Sequence, residues 1–401
     1  MRVLHIAWEY PPHIIGGLGR HVVELTQALA KHGVAPVVAT PLMRGGEPAE
    51  NVAPGILVRR AVPPMMGEYE FFAFVSHTAF QLERAALELR SEVGHFDLIH
   101  AHDWLGAAAG IALKQLWRIP LIATMHATER GRGRGALNGR NAQQINDLEW
   151  RLTYEAWRVI VCSHFMADQM VEYFRLPIDK VDMVPNGVIV GPDLFNEPRE
   201  RQTFRRRFVA DDEHLVFYVG RIVYEKGLQV LIDAWPQIAG QARARLVIAG
   251  IGSYLELLQA QVADRGLSDQ ISFIGFIADE EREQLYRVAD VAVLPSLYEP
   301  FGIVALEAFA TGCPLVVSAT GGLSEVVQHG TTGLLVPPGD YIALAGAILE
   351  TLSQPQAARA RAAIALALVQ ERYNWPQIAR ETLQIYERVL TEWRADPWGR
   401  E

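Results

Sequence analysis

Short, almost wholly apolar runs alternate along the chain with longer stretches in which apolar residues recur every three or four positions. The short runs are typical of buried parallel strands, and the longer pattern is typical of amphipathic helices. In the first half this predicts strands at 3–8, 34–40, 97–101, 120–124, 159–162 and 182–185, with helices at 20–32, 78–93, 105–117, 141–157 and from 163.

The pattern restarts after residues 188–200, which lack periodicity and are predicted to be a linker. Further strands are predicted at 215–219, 246–249, 271–274, 291–294 and 315–317, helices at 228–238 and 302–311, and a final helix at 377–393. Alternating strands and helices favour two doubly wound α/β domains with parallel sheets, at 1–190 and 191–375, followed by a C-terminal helical segment at 376–401.

Two segments are predicted to be loops. Residues 44–70 are rich in glycine, proline and glutamate and show little pattern. Residues 128–141 alternate arginines with glycines, beginning with Arg130 and Arg132. That segment is either a solvated mobile loop or a basic lid that contacts an acceptor.

Net charge, cysteine count and hydropathy argue against several classes of function. A net charge of −9 argues against a nucleic-acid binder and weighs against a basic membrane-surface face. Cys162 and Cys313 are predicted to be buried free thiols, not a disulfide or a metal site. No uncharged apolar run reaches about 18 residues, and no signal peptide opens the chain, so we expect a cytoplasmic protein for which membrane association is not expected.

The stretch with the most candidate site residues follows the predicted strand at 291–294. Pro300 precedes a predicted helix whose first N–H groups, near Phe301, Gly302 and Ile303, would form an anion site. Glu299 lies in the turn, and Glu307 lies among apolar residues, where a carboxylate needs a hydrogen-bonding partner. The stretch is either a phosphate-binding turn or an ordinary strand–helix turn with a satisfied glutamate.

Other polar residues also follow predicted strands. His102 and Asp103 end one strand and His126 the next, at the sheet edge where ligands bind in parallel α/β folds. Arg221 and Lys226 suit the two phosphates of a diphosphate, although each is also an ordinary surface charge. No Asp-x-Asp pair stands at a strand end, so nothing requires a metal or another cofactor.

Together these motifs resemble a retaining glycosyltransferase of the GT-B fold, family 4. The resemblance covers most of the chain in the expected order and rests on Gly16-Gly17-Leu18, His102-Asp103-Trp104, His126, Pro185-Asn186-Gly187-Val188, Gly220-Arg221, Lys226-Gly227, Glu299, Glu307 and Gly321-Gly322. It implies two domains that face each other across a cleft, with the last helix crossing back to the N-terminal domain.

The resemblance also implies roles. Arg221 and Lys226 would hold the diphosphate of a nucleotide-sugar donor, Glu299 the sugar hydroxyls and Glu307 the ribose. Further donor contacts would come from Gly17, Asn186, Gly220, Phe301, Gly302, Ile303 and Val304. His126 and Asp103 would lie near the transferred sugar, and His102, Arg130 and Arg132 on the acceptor side.

Within the family, the resemblance favours the glycogen and starch synthase branch, because of Gly-Gly-Leu, His-Asp-Trp and the second Gly-Gly-Leu. That branch implies ADP- or UDP-glucose as the donor and an α-glucan as the acceptor. Two departures weaken that branch assignment: Ile15 stands where bacterial glycogen synthases carry lysine, and Glu307 is present where they lack the second glutamate. The alternatives are a small-molecule, sugar-phosphate or lipid acceptor, a sugar-nucleotide epimerase, and a non-catalytic nucleotide-sugar sensor.

Overall fold

The computed structural model describes residues 1–65, 67 and 70–396. Three positions of the predicted 44–70 loop and residues 397–401 of the predicted C-terminal segment lie outside the described residues. The chain forms two compact units. The first comprises Met1–Asn186 and the segment from Trp375 onward, and the second comprises Gly187–Asn374.

The first unit is built on an eight-stranded sheet in the order β3-β4-β2-β1-β5-β6-β7-β8. All neighbouring pairs are parallel except β3 with β4. The strands are β1 (Arg2–Ile6), β2 (Ala35–Pro41), β3 (Ala49–Ala53), β4 (Ile56–Ala61), β5 (Leu98–His102), β6 (Leu121–Met125), β7 (Arg158–Val161) and β8 (Val181–Met183).

Helices cover this sheet because each carries an apolar stripe that must be buried. They are α1 (Gly17–Lys31), α2 (Phe71–Val93), α3 (Ala107–Trp117), α4 (Glu129–Arg132), α5 (Gly139–Glu155), α6 (His164–Phe174) and the last helix of the chain, Trp375–Ala395. Short 3₁₀ turns lie at Trp104–Gly106 and Ile178–Lys180. The last helix packs on α1, where Ile378 and Tyr386 share a buried cluster with Leu25 and Leu29.

The second unit has a six-stranded, wholly parallel sheet in the order β11-β10-β9-β12-β13-β14. The strands are β9 (His214–Val219), β10 (Ala244–Ala249), β11 (Ile271–Gly275), β12 (Val291–Leu294), β13 (Leu315–Ser318) and β14 (Leu334–Val336). The helices are α7 (Pro198–Arg205), α8 (Leu228–Ala239), α9 (Leu255–Asp264), α10 (Asp279–Val288), α11 (Ile303–Ala310), α12 (Leu323–Val326), α13 (Tyr341–Ser353) and α14 (Pro355–Arg372); the last helix of the chain is α15. A 3₁₀ turn lies at Tyr224–Lys226.

Both sheets reverse their strand order at one point, between β1 and β5 and between β9 and β12. Loops that leave the two central strands there diverge to opposite faces, which opens a crevice at the carboxyl edge. The loops after these four strands contain most of the candidate residues. The two parallel α/β units and the C-terminal helix confirm the predicted fold class.

Three local predictions were wrong. The predicted loop over 44–70 contains β3 and β4, and α2 begins at Phe71, not at residue 78. The arginine segment is not wholly irregular either, because Glu129–Arg132 is a helical turn capped by the hydroxyl of Thr128.

Candidate functional site

The glycine loop after β1 is shaped by a carboxylate. Oε2 of the buried Glu9 accepts hydrogen bonds from the N–H groups of Ile15, at 2.8 Å, and Gly16, at 3.0 Å. Gly19 is required beside it, because a Cβ there would lie 2.8 Å from Glu9. Gly17 is the first residue of α1, so its N–H has no intrahelical partner. The sequence pattern missed Glu9, whose only signal was a carboxylate inside an apolar run.

The structure brings together the predicted residues at the ends of β5 and β6. Oδ1 of Asp103 accepts the backbone N–H of His126 at 2.6 Å. Asp103 has a φ of 56°, an uncommon conformation for a residue other than glycine, which directs its side chain across to the neighbouring strand end. Burial raises the pKa of Asp103 to about 6, and the charge of Arg132 opposes the rise. His102 Nδ1 lies 3.4 Å from His126 Nε2.

Three further histidines, missed at the sequence level, belong to this group: His5, His21 and His100. His5 Nδ1 lies 3.2 Å from His102 Nε2, and His21 Nδ1 lies 2.6 Å from Oδ1 of the predicted site residue Asn186. Burial lowers the pKa of all five imidazoles below the usual value, so they are neutral at physiological pH.

The arginine segment is held near these residues by buried side chains. Arg130 stacks over the ring of Tyr173 at 5.4 Å, and Arg132 forms a 3.3 Å ion pair with Glu129. Both carboxylate oxygens of the fully buried Glu149 accept the backbone N–H of Glu129, at 2.9 and 3.1 Å. The turn that carries the two arginines is therefore anchored to α5.

The carboxyl group of Glu149 makes the free energy of unfolding depend on pH. Burial raises the pKa of Glu149 to about 8 from a usual value near 4.5. Between these values the folded protein keeps a proton that the unfolded chain has lost, so the free energy of unfolding falls as pH rises, by about 1.4 kcal/mol per pH unit for one proton. Glu149→Gln removes this group. Chemical denaturation of the wild type and the variant from pH 5 to 8 should show a steeper decline in the wild type.

Asp147→Asn, an exposed change on the same helix, is the matched control and should behave like the wild type. Equal slopes in Glu149→Gln and Asp147→Asn would show that Glu149 is already ionised at neutral pH.

In the second unit, the loops after β9 and β12 are joined through their backbones. The N–H groups of Leu297 and Tyr298 donate to the carbonyl oxygen of Glu225, at 2.8 and 3.2 Å. Gly227 permits this approach, because a Cβ there would lie only 1.9 Å from the carbonyl oxygen of Pro295. This joined backbone fixes the position of Lys226 relative to Glu299.

Lys226 Nζ lies 2.6 Å from Glu299 Oε2, and both side chains are largely buried. The Ser296 hydroxyl donates to the same oxygen at 3.3 Å. Arg221, next to Gly220, is about half exposed and lies 3.7 Å from Glu225. Lys226 and Glu299 are thus held together between the loops that follow β9 and β12, with a second, more exposed cation, Arg221, close in sequence.

The predicted anion site is a helix N-terminus, as expected from the proline pattern. Helix α11 begins at Ile303, and Gly302 has a φ of 98°, the left-handed region that favours glycine. A Cβ on Gly302 would lie 2.5 Å from Leu323 Cδ2. The first N–H groups of α11, including that of Val304, have no partners inside the helix. Phe301 is buried beside them.

Glu307 has a protein partner that the sequence pattern did not show. Its Oε2 lies 3.3 Å from Arg282 Nε, and the same guanidinium donates to Asp279 at 2.7 Å. The side chain of Glu307 keeps 13% of its surface exposed. Its apolar setting therefore does not by itself require a ligand.

Among the described residues, no helix is both long enough and apolar enough to span a membrane.

Comparison with known proteins places the chain among sugar-transferring enzymes. Residues 15–190 match the model of Glycosyltransferase Family 4, and residues 200–365 match that of Glycosyl transferases group 1. An uncharacterized glycosyltransferase of Methanocaldococcus jannaschii is 36% identical over 97% of this chain and 99% of its own. A glycogen synthase of Mycobacterium tuberculosis is also 36% identical, over 96% of this chain and 94% of its own.

Among solved structures, a sucrose-phosphate synthase from Thermosynechococcus elongatus superimposes with a TM-score of 0.83 at 26% identity, covering 98% of this chain and 99% of that chain.

Proposed function

The chain belongs to the group 1 glycosyltransferases, and we propose that it is a retaining, metal-independent hexosyltransferase that moves glucose from ADP- or UDP-glucose to an α-1,4-glucan. The observation that carries the proposal is the Lys226–Glu299 pair beside the start of α11. These groups lie at the switch point of the second sheet, where phosphorylated ligands bind in such folds.

The donor would be held by complementary charge. Lys226 and Arg221 would neutralise the diphosphate together with the backbone N–H groups at Gly302, Ile303 and Val304. The carboxylate of Glu299 would accept hydrogen bonds from the sugar hydroxyls. Glu307, held by Arg282, would accept hydrogen bonds from the two ribose hydroxyls.

In the proposed reaction, the acceptor hydroxyl oxygen bonds to the anomeric carbon on the face from which the diphosphate leaves. The bond between that carbon and the phosphate oxygen breaks, and the leaving phosphate takes the proton of the acceptor hydroxyl. Negative charge grows on the diphosphate, so Lys226 and the α11 N-terminus lower the barrier by stabilising it.

The family resemblance also assigns roles to residues of the first unit. His126, whose backbone is held by Asp103, would hydrogen-bond the transferred sugar. Asn186 and the Gly17 N–H would contact the nucleotide-sugar donor. His102, Arg130 and Arg132 would face the acceptor.

Similarity to two named enzymes supports a glucosyl donor, but the two enzymes point to different acceptors. The glycogen synthase relative supports a glucan acceptor, whereas the similarity to sucrose-phosphate synthase supports a sugar phosphate. A basic segment with Arg130 and Arg132 would suit an anionic acceptor. Glycogen biosynthesis in the cytoplasm is therefore the first proposal, and transfer to a small phosphorylated acceptor is the second.

The test is to incubate the protein with ADP-, UDP- and GDP-glucose, each with malto-oligosaccharide, with a hexose phosphate, or alone. Nucleotide release with lengthening of the oligosaccharide supports the glucan acceptor, and release only with the hexose phosphate supports the second candidate. Isomerised donor without an acceptor would indicate an epimerase. Donor binding without turnover across the whole panel would contradict the proposed activity.

A further inference from the structure

Four buried imidazoles and a fifth that is partly exposed, all in the first unit, exceed what the proposed transfer uses. They come from β1, α1, β5 and the end of β6: His5, His21, His100, His102 and His126. Of these, sugar transfer as proposed draws on His126 and, on the acceptor side, His102. Burying so many polar rings costs free energy unless each finds partners. A second role for the cluster would account for its composition.

Three of these rings are spaced like metal ligands. His21, His102 and His126 each offer a ring nitrogen, and the three nitrogens lie within 4.8 Å of one another. The 3.4 Å between His102 Nδ1 and His126 Nε2 is long for a hydrogen bond to nitrogen. Two ligands on a tetrahedral zinc ion, with Zn–N of about 2.0–2.1 Å, are separated by about 3.3–3.4 Å.

His21 carries a lone pair with no partner. Its Nδ1 lies 2.6 Å from Asn186 Oδ1, so Nδ1 carries the hydrogen and donates it. Nε2 therefore holds the lone pair, and among the described residues this buried atom has no hydrogen-bond partner. A ligating histidine whose other nitrogen donates to a fixed oxygen is the arrangement found around protein-bound metals.

The other two ligands are also held in place. His102 Nε2 contacts His5 Nδ1 at 3.2 Å, which orients the ring and leaves Nδ1 for an ion. The backbone of His126 is fixed by Asp103.

A second grouping, His5 with His100 and His102, is also compact. Both nitrogens of His100 are already used, Nδ1 by the Tyr386 hydroxyl and Nε2 by the Thr124 hydroxyl, each at 2.6 Å. An ion at this grouping would have to break one of those hydrogen bonds. The grouping around His21 keeps them intact.

We propose that His21, His102 and His126 form a binding site for a divalent transition-metal ion such as Zn²⁺, with a fourth position open to water. Three imidazoles are a ligand set that zinc accepts. If the proposed function is right, the ion also withdraws His126 from the sugar and so inhibits transfer. Binding of the ion itself does not depend on that function.

The test uses Co²⁺ and Zn²⁺ on the full-length, chelator-treated protein. We expect one Co²⁺ per chain with the intense visible bands of tetrahedral coordination, displaced by Zn²⁺. His21→Gln should lose these bands and weaken Zn²⁺ at least tenfold, and Asn186→Ala should weaken it about 10- to 100-fold by loosening His21. Circular dichroism of each variant without metal checks that it is folded.

Two matched controls locate the site. His95→Gln, whose ring is exposed, and His100→Gln should both bind like the wild type. Loss of binding in His100→Gln with retention in His21→Gln would overturn the proposal in favour of the second grouping. Absence of tetrahedral Co²⁺ bands in the wild type would show that the cluster is only a hydrogen-bonded core.

The inhibition is measured separately, as glucose transfer against free Zn²⁺. Wild type is expected to lose activity at the concentration that saturates the site. A protein that binds the ion but transfers no sugar with any donor would refute the proposed function and leave the metal site standing. A protein that transfers sugar at full rate while saturated would refute the shared use of His126.

Discussion

Lys226→Ala is expected to lower the kcat of sugar transfer by about 10²–10³-fold while the protein stays folded. Lys226 is the only lysine between residues 187 and 374, and its Nζ is fixed 2.6 Å from Glu299. Its charge matters most when the diphosphate leaves, so kcat should fall more than donor affinity. Steady-state kinetics with the active donor provide the measurement.

Arg243→Ala, which removes an exposed cation from the same unit, is the matched control and should transfer at the wild-type rate.

Glu299→Ala should also lose transfer, because it removes the proposed sugar contact. The double variant Lys226→Ala with Glu299→Gln tests whether an unpaired buried carboxylate, not the missing cation, causes the loss. Wild-type rates in Lys226→Ala and Glu299→Ala would refute this assignment of the site.

Gly302→Ala is expected to reduce donor affinity and transfer together, by about 10²-fold for a displacement near 1 Å. Its φ of 98° strains any side chain, and the new Cβ would meet Leu323 Cδ2 at 2.5 Å. We expect the strained φ and the clash together to shift the start of α11, whose N–H groups are proposed to bind phosphate. Calorimetric titration with the donor and its nucleoside diphosphate measures the loss.

Gly312→Ala provides a closely matched control just beyond the other end of α11. Its φ of 70° imposes a similar strain, but a Cβ there would meet nothing within 4 Å. The strained φ should cost each variant about 1–2 kcal/mol of stability, the clash should add to the loss in Gly302→Ala, and only Gly302→Ala should lose donor affinity. Equal donor affinities in the two variants would show that the α11 N-terminus does not bind the donor's phosphates.

The alternation of strands and helices was predictable because the central strands are buried on both faces. A strand such as Val291–Leu294 is then uniformly apolar, and the pattern is visible without knowledge of its neighbours. The glycine and proline positions around Pro300 and Gly302 similarly predicted the start of α11, since backbone geometry there depends on local sequence.

Strands β3 and β4 were not predictable in the same way. Arg60 lies in β4 with its side chain almost fully buried, paired with Glu50 of β3 at 2.5 Å. Charged residues in a segment rich in glycine and proline indicated a loop, because their partner lies on another strand. Only tertiary pairing explains why such a charge is buried there.

Some of the candidate site residues could be predicted from local sequence, and others could not. Residues at strand ends, such as His102 and Asp103, could be selected because strand ends of a parallel sheet share one edge. His5 and His21 could not, since a histidine inside a strand or helix shows nothing of its neighbours. Arg282 was missed for the same reason: its partner Glu307 is 25 positions away on another helix.

The most direct test of sugar transfer is proton NMR of one reaction mixture containing ADP- or UDP-glucose and malto-oligosaccharide. We predict that the donor's anomeric signal declines, that one new α-glucosidic signal appears for each nucleoside diphosphate released, and that no free glucose accumulates. A donor signal that persists with every acceptor, or a new β-linked product, would contradict retaining transfer by this protein.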